Sequence, residues 1–152
     1  MTRLFFLALA LLALPGARVA ADVTRICTGS PNSVSPGGAR LRWSGAFRPI
    51  GGRLDASELP ADQMGMVLYG LFPDDAPFAD GRICIGGARW IMARVASDRS
   101  GHMSLDIARE GEREDVHWLF SANTWFFQYW YRDPAAGGAG SNLTDAIRVA
   151  WE

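Results

Sequence analysis

The side chains with the clearest binding chemistry lie between Trp125 and Pro134, where the sequence reads WFFQYWYRDP. Six of the first seven residues of this stretch are aromatic. Aromatic rings recognise flat apolar surfaces such as those of sugar rings, and Gln128 and Arg132 can add hydrogen bonds. The stretch is therefore compatible with three roles: hydrophobic core, a stacking platform for a ligand, or a contact surface for a protein partner.

A β-strand would divide these side chains into two rows, because successive residues point to opposite faces. One row consists of Trp125, Phe127, Tyr129 and Tyr131, and the other of Phe126, Gln128, Trp130 and Arg132. Only one row can face the interior of a sandwich, so the second needs a cover. The N-terminal segment, the loop Asp133–Ser141 and an external ligand are the three candidates for that cover.

Our main interpretation is a central strand with both rows buried, in which Arg132 pairs with Asp133 or Asp145. The alternative is a platform that stacks against sugar rings. The residues that this alternative assigns to ligand binding are Trp125, Phe126, Gln128, Trp130 and Arg132.

Nucleophilic hydrolysis needs a serine, a histidine and an acid in one place, and the only histidines are His102 and His117. Ser104 and Asp106 would share a strand face with His102. No G-x-S-x-G motif occurs, and neither histidine belongs to a zinc-binding pattern. We therefore expect no catalytic activity. A small secreted hydrolase that uses His102 or a pair of carboxylates remains an alternative.

Three aspartates, Asp74, Asp75 and Asp80, lie close together in FPDDAPFADG (Phe72–Gly81). Oxygen ligands on a loop of an exported protein are the kind that Ca²⁺ uses, but the spacing is not that of an EF-hand. We expect a solvated loop here and no cofactor, with calcium as a weak alternative.

The positioning elements are predicted to be β-strands, because apolar residues recur with a period of two and no long segment has a helical period. SDRSG, between two of the segments, predicts a hairpin of Ala88–Ala96 with His102–Glu110. About seven to nine short strands at regular spacing predict a single antiparallel β-sandwich or jelly roll. The predicted strands are Ala39–Phe47, Met64–Phe72, Ala88–Ala96, His102–Glu110, Val116–Phe120, Asn123–Arg132 and Ala146–Glu152.

Residues 1–21 have the pattern of a secretory signal peptide, with Arg3, an apolar run and a small-residue cleavage site before Asp22. The apolar run is too short to span a membrane, so we expect cleavage and no membrane span in the mature protein. Residues 22–152 have the length of one domain. The protein is predicted to be exported, either secreted or periplasmic.

The charge and the cysteine content of the chain indicate its kind of partner and its compartment. The chain has 15 arginines, no lysine and 16 acidic residues, and two of the arginines lie in the leader. A slightly acidic domain does not favour nucleic acid as a partner. Cys27 and Cys84 are the only cysteines, and an even pair in an oxidising compartment predicts a disulfide.

Five short motifs together resemble a family of exported bacterial β-domains of unknown function. They are PNS after Cys27, YG at Tyr69-Gly70, CIGG at Cys84–Gly87, TWFFQYWYRDP at Thr124–Pro134 and SNLTDAIRV at Ser141–Val149. The resemblance extends from Cys27 to Trp151. It implies an exported β-domain and no particular activity, ligand or catalytic residue. Family members are often appended to large extracellular proteins, whereas this domain follows its own signal peptide.

The sequence as a whole predicts a secreted, non-catalytic binding or structural module with an extracellular glycan or protein as partner. A carbohydrate-binding domain that uses Trp125–Arg132 is the first alternative, and a small hydrolase is the second.

Overall fold

The computed structural model describes residues 22–45, 52–107, 109 and 124–150. The described residues form an all-β fold with eight strands, which confirms the predicted class. The predicted strand Val116–Phe120 lies outside the described residues. The strands are β1 (Asp22–Arg25), β2 (Arg40–Ser44), β3 (Arg53–Ser57), β4 (Gly65–Phe78), β5 (Gly81–Arg94), β6 (Met103–Asp106), β7 (Thr124–Arg132) and β8 (Ser141–Ala150), with a short 3-10 helix at Pro134–Ala136.

The strands form two antiparallel sheets with a common core, consistent with a β-sandwich. The larger sheet has the order β1-β8-β7-β4-β5, and the smaller has the order β2-β3-β6. Alternation places Leu41, Leu54 and Leu105 of the smaller sheet in one buried cluster with Val67 and Trp125 of the larger. No helix among the described residues is long and apolar enough to cross a membrane.

The first aromatic row of β7 is part of this core, as the main interpretation predicts. All four of its side chains are fully buried: Trp125, Phe127, Tyr129 and Tyr131. The Tyr129 hydroxyl donates to the Val95 carbonyl at 2.6 Å, and the Tyr131 hydroxyl accepts from the Asn32 amide at 2.9 Å. Burial raises the pKa of Tyr131 to about 12, so this side chain is neutral at physiological pH.

The predicted hairpin of Ala88–Ala96 with His102–Glu110 is wrong. β5 pairs with β4 and β6 pairs with β3, so the two segments belong to different sheets. A turn does form, because the Asp98 carboxylate accepts the backbone N–H of Ser100 and His102. The chain before the turn is held elsewhere: the Ser97 N–H donates to the Gln63 carbonyl and the Ser97 hydroxyl to the Pro60 carbonyl.

Asp145 connects the two sheets from its position in β8. Its carboxylate accepts the Leu41 N–H of β2 and lies 2.7 Å from the Arg25 guanidinium, which is half-exposed. The Asp145 N–H donates to the Ala39 carbonyl at 3.1 Å. Burial raises the pKa of Asp145, and the Leu41 N–H and Arg25 only partly offset this cost. This buried carboxylate is therefore a structural link.

Candidate functional site

The β4–β5 hairpin is much longer than the sequence predicts, and its outer half bends across the sheet. The segment Phe72–Gly81, expected to be a loop, continues β4 to Phe78 and turns into β5 at Gly81. β7 pairs with β4 only as far as Gly70, so beyond Gly70 the edge of β4 that faces β7 has no hydrogen-bonded neighbour strand among the described residues. Prolines, which have no N–H to donate, are tolerated there. The loop prediction is wrong because the preference of proline and aspartate for turns is weak. Here the hydrogen bonds between β4 and β5 hold the segment in an extended conformation.

Three register shifts bend this hairpin, one of them between Gly70 and Phe72. Beyond the bend, Ile85 packs directly on Gly70, where an added Cβ would lie 2.5 Å from its Cγ2 atom. The tip of the hairpin reaches β8, two strands away from β4, where the Asp80 N–H donates to the Ser141 carbonyl at 3.0 Å. We call residues Phe72–Ile85 the folded-over hairpin. It covers the face of the larger sheet that points away from the core, which we call the outer face.

Gln128 of β7 holds the folded-over hairpin onto the sheet. Its amide oxygen accepts the Cys84 N–H at 2.9 Å, and its amide nitrogen donates to the carbonyls of Arg82 at 2.9 Å and Thr144 at 2.8 Å. The side chain is completely buried. Both amide hydrogens and the oxygen are thus used by the protein backbone, and Gln128 links three strands of the larger sheet.

A disulfide between Cys27 and Cys84 provides a second attachment, as predicted. Cys27 directly follows the strand pairing of β1 with β8, since the Ile26 N–H donates to the Ala146 carbonyl at 3.0 Å. Cys84 lies in the folded-over hairpin and is fully buried. The bond therefore ties this hairpin to the β1 edge of the sheet, while Gln128 ties it to the centre.

The five predicted ligand-binding residues lie at different depths. Trp125 belongs to the core, Phe126 is only 7% exposed, and Gln128 is saturated by backbone groups. Trp130 is half-buried and Arg132 is exposed. Phe126 and Gln128 lie on the outer face, and Gln128 is covered by the folded-over hairpin, which is none of the three candidate covers. Only Trp130 and Arg132 reach the surface.

The predicted pairing of Arg132 with Asp133 or Asp145 is wrong. Asp133 is buried and accepts the Ser33 N–H at 2.9 Å, and Asp145 pairs with Arg25. Arg132 lies on the outer face opposite Ser141 and forms no ion pair with the described residues. Both carboxylates bind other segments of the chain, and the Arg132 guanidinium remains on the surface.

A groove of about 480 Å³ lies between the outer face and the folded-over hairpin. The sheet contributes Met66, Leu68 and Trp130. The hairpin contributes Phe78, Ala79 and Ile83, and Arg89 and Ser141 complete the lining. Phe78 is 47% exposed, so a large part of this aromatic side chain is open to solvent at the groove. The volume and the largely apolar lining with few polar groups are typical of small-molecule sites.

One arginine lines this groove, and two more lie close to its lining residues along the strands of the outer face. Arg89 lines it, Arg94 lies opposite Met66 on the outer face, and Arg132 lies two residues from Trp130. All three are exposed, and within the part of the chain that the structure describes none of them pairs with a carboxylate. Arg89 uses one N–H to donate to the Ile85 carbonyl at 2.9 Å. The groove therefore has an apolar interior and a positively charged rim.

The three aspartates considered as calcium ligands occupy separate positions on the folded-over hairpin. Asp75 pairs with Arg82, whose hydrogen bond lowers the pKa of the Asp75 carboxyl. The Asp74 carboxylate accepts the Asp75 N–H, and Asp80 accepts the Ala139 N–H at 2.8 Å. Across the described ranges, no group of three acidic, histidine or cysteine side chains is arranged to hold a metal ion.

The residues considered for hydrolysis lie in or next to β6 of the smaller sheet, and none of them lines the groove. His102, Ser104 and Asp106 are all exposed. The Ser104 hydroxyl donates to Asp55 and accepts from the Arg53 guanidinium. Ser104 is thus part of a surface network on β3 and β6 rather than a partner of His102. His117 lies outside the described residues.

Most residues that line the groove were not predicted from the sequence. Met66 and Leu68 were predicted only as part of the strand Met64–Phe72, and Phe78, Ile83 and Arg89 were assigned no functional role. One signal was present: Phe78, Ile83 and Ile85 alternate around a two-residue turn at Ala79-Asp80, as in a hairpin.

Comparisons with protein-family models, curated proteins and solved structures found no match to this chain. The resemblance to exported bacterial β-domains therefore stays a prediction, and the case for function depends on the geometry of the groove.

Proposed function

We propose that this protein is an exported, non-catalytic binding domain whose ligand site is the groove under the folded-over hairpin. The signal-peptide pattern of residues 1–21 and the Cys27–Cys84 disulfide support export.

The observation that carries this proposal is the position of two aromatic side chains, Trp130 and Phe78, in the lining of one groove. The other aromatic residues of β7 are buried against protein. Leaving apolar surface in water forgoes about 25 cal/mol per Å², and a ligand that covers this surface would recover that free energy. A pocket with mainly apolar walls is also the default location for a ligand.

We expect the neutral fluorescent probe N-phenyl-1-naphthylamine to bind the wild-type protein, and Phe78→Ala to weaken that binding. Loss of the phenyl contact should cost about 1–2 kcal/mol, or about five- to thirtyfold in affinity. Probe fluorescence measured during titration with folded protein gives the two dissociation constants.

Phe72→Ala is the matched control, because Phe72 is a second phenylalanine of distal β4, is 61% exposed and does not line the groove. It should bind the probe as the wild type does. Wild-type protein that does not bind the probe, or equal losses in the two variants, would contradict the proposal. Circular dichroism of each variant confirms that it is folded.

Carbohydrate binding is a second candidate, and the exposure of Trp130 beside Arg132 favours it. Trp130 would stack on a sugar ring while Arg132 donates hydrogen bonds to hydroxyl groups. Support for it is weaker, because the groove lining contains few polar side chains and a sugar needs several. Binding to arrayed glycans that Trp130→Ala abolishes, without binding of the apolar probe, would favour this candidate.

A further inference from the structure

We propose that the groove binds a single-chain anionic amphiphile, such as a medium-chain carboxylate, with its chain between Trp130 and Phe78 and its head beside Arg89. This inference rests on the proposed function and names the class of ligand. It assigns the interior of the groove to the apolar chain and the rim to the charge.

The rim favours an anion because none of its guanidinium groups pairs with a carboxylate of the described residues. Arg89 has five N–H donors and uses one for the Ile85 carbonyl, which leaves four directed to solvent or a ligand. A guanidinium matches the geometry of a carboxylate and binds it through two hydrogen bonds. Arg82, another arginine of β5, differs from Arg89 because it forms an ion pair with Asp75.

The acidic group nearest to the groove along the chain is Asp80, which follows the lining residue Ala79. One of its carboxylate oxygens accepts the Ala139 N–H, and the other is buried without a hydrogen-bond partner among the described residues. Asp80 therefore belongs to the contact between the hairpin tip and the segment before β8. Asp80 forms no ion pair with Arg89, so the Arg89 guanidinium keeps its charge for a ligand.

The interior favours a flexible apolar chain over a sugar or a peptide. Met66, Leu68 and Ile83 offer no hydrogen bonds, so the hydroxyl groups of a sugar or the amides of a peptide would lose water without compensation. Methylene groups carry no such cost, and their burial is favourable. An apolar chain that ends in a carboxylate satisfies both the interior and the rim.

The test is displacement of N-phenyl-1-naphthylamine by decanoate, 1-decanol and decyltrimethylammonium, three compounds with chains of similar length and different head charge. Each is used below its micelle concentration, near neutral pH and at low salt. We expect decanoate to displace the probe at concentrations about three- to tenfold lower than decanol, and decyltrimethylammonium to be the weakest. Added salt should weaken decanoate and leave decanol unchanged.

Variants identify the residue responsible. Arg89→Gln should remove the preference for decanoate and leave decanol unaffected, while Arg89→Lys, which keeps the charge, should retain it. Arg99→Gln is the control, because Arg99 is also exposed but lines a separate groove with Val34 and Glu58. If Arg89→Gln alters folding through its bond to Ile85, the lysine variant and the salt dependence still decide the question.

The outcomes separate the inference from the proposed function. If the probe does not bind at all, both fail. If the probe binds and the three compounds displace it equally, or the cation displaces it best, the groove remains a site and the anionic ligand is wrong. An unchanged preference in Arg89→Gln overturns the role of Arg89. Dimerisation on size-exclusion chromatography that excludes the probe would replace the amphiphile with a second copy of the chain.

Discussion

Gln128→Met is expected to lower the free energy of unfolding by about 3–5 kcal/mol, a large share of the stability of a domain of this size. Methionine fills a similar volume but leaves the Cys84 N–H and the carbonyls of Arg82 and Thr144 without their partner. Each such buried backbone group costs about 1–3 kcal/mol, and local relaxation recovers part of the sum. Urea denaturation of the oxidised protein measures the difference.

Gln63→Met is the matched control, because Gln63 and Gln128 are the only glutamines in the chain. The Gln63 amide donates to the Ala61 carbonyl at an exposed position. Its replacement should change stability by less than about 0.5 kcal/mol. A loss below about 1 kcal/mol for Gln128→Met would show that the folded-over hairpin does not depend on this side chain.

Replacing both cysteines with alanine, Cys27→Ala and Cys84→Ala, should lower the free energy of unfolding by about 4 kcal/mol. The bond closes an interval of 57 residues, and its loss restores conformational freedom to the unfolded chain. The folded-over hairpin then depends on Gln128 and the tip contact, so affinity for N-phenyl-1-naphthylamine should also fall. Thermal and urea denaturation measure the first effect and probe titration the second.

Chemical reduction separates the bond from the substitutions. A reducing agent should destabilise the wild-type protein by a similar amount and leave the double variant unchanged. Wild-type stability that does not respond to complete reduction would contradict the structural role of the disulfide. Loss of stability with unchanged probe affinity would show that the hairpin keeps its position over the groove without the bond.

Much of the fold can be predicted from the sequence, because alternation of apolar residues carries most of the information about a sandwich. Leu41 in β2, Met103 and Leu105 in β6 and the first aromatic row of β7 are all buried, as apolar residues with a period of two are expected to be. Cys27 and Cys84 pair as expected, since only one pairing exists. These features depend on the local alternation of apolar residues or on the number of cysteines.

The folded-over hairpin could not be predicted in this way. Local turn signals such as Pro73-Asp74-Asp75 suggest a loop, and the three register shifts that bend the hairpin leave no clear trace in the sequence. The prediction of a hairpin between Ala88–Ala96 and His102–Glu110 was wrong for the same reason. Local signals identified its turn, but long-range pairing chose the partners of both strands.

The groove is a consequence of that long-range arrangement. Met66, Phe78, Arg89 and Trp130 come from β4, β5 and β7, and they meet only because the hairpin bends over the sheet. The sequence analysis did single out Trp130 and Arg132, the exposed end of the aromatic strand. It could not separate them from Phe126 and Gln128, because burial of the second row depends on a cover that local pattern does not reveal.

The most direct test of the groove as ligand site is the spectrum of the tryptophan indole N–H groups in ¹⁵N-labelled protein titrated with N-phenyl-1-naphthylamine. The chain has six tryptophans, and the Trp130→Phe variant identifies the Trp130 signal by its disappearance. The account predicts that the aromatic probe shifts the Trp130 signal most, while that of Trp125, on the opposite face of the same strand, moves little. A saturable titration in which Trp130 stays in place and another indole shifts would contradict the assignment of the site.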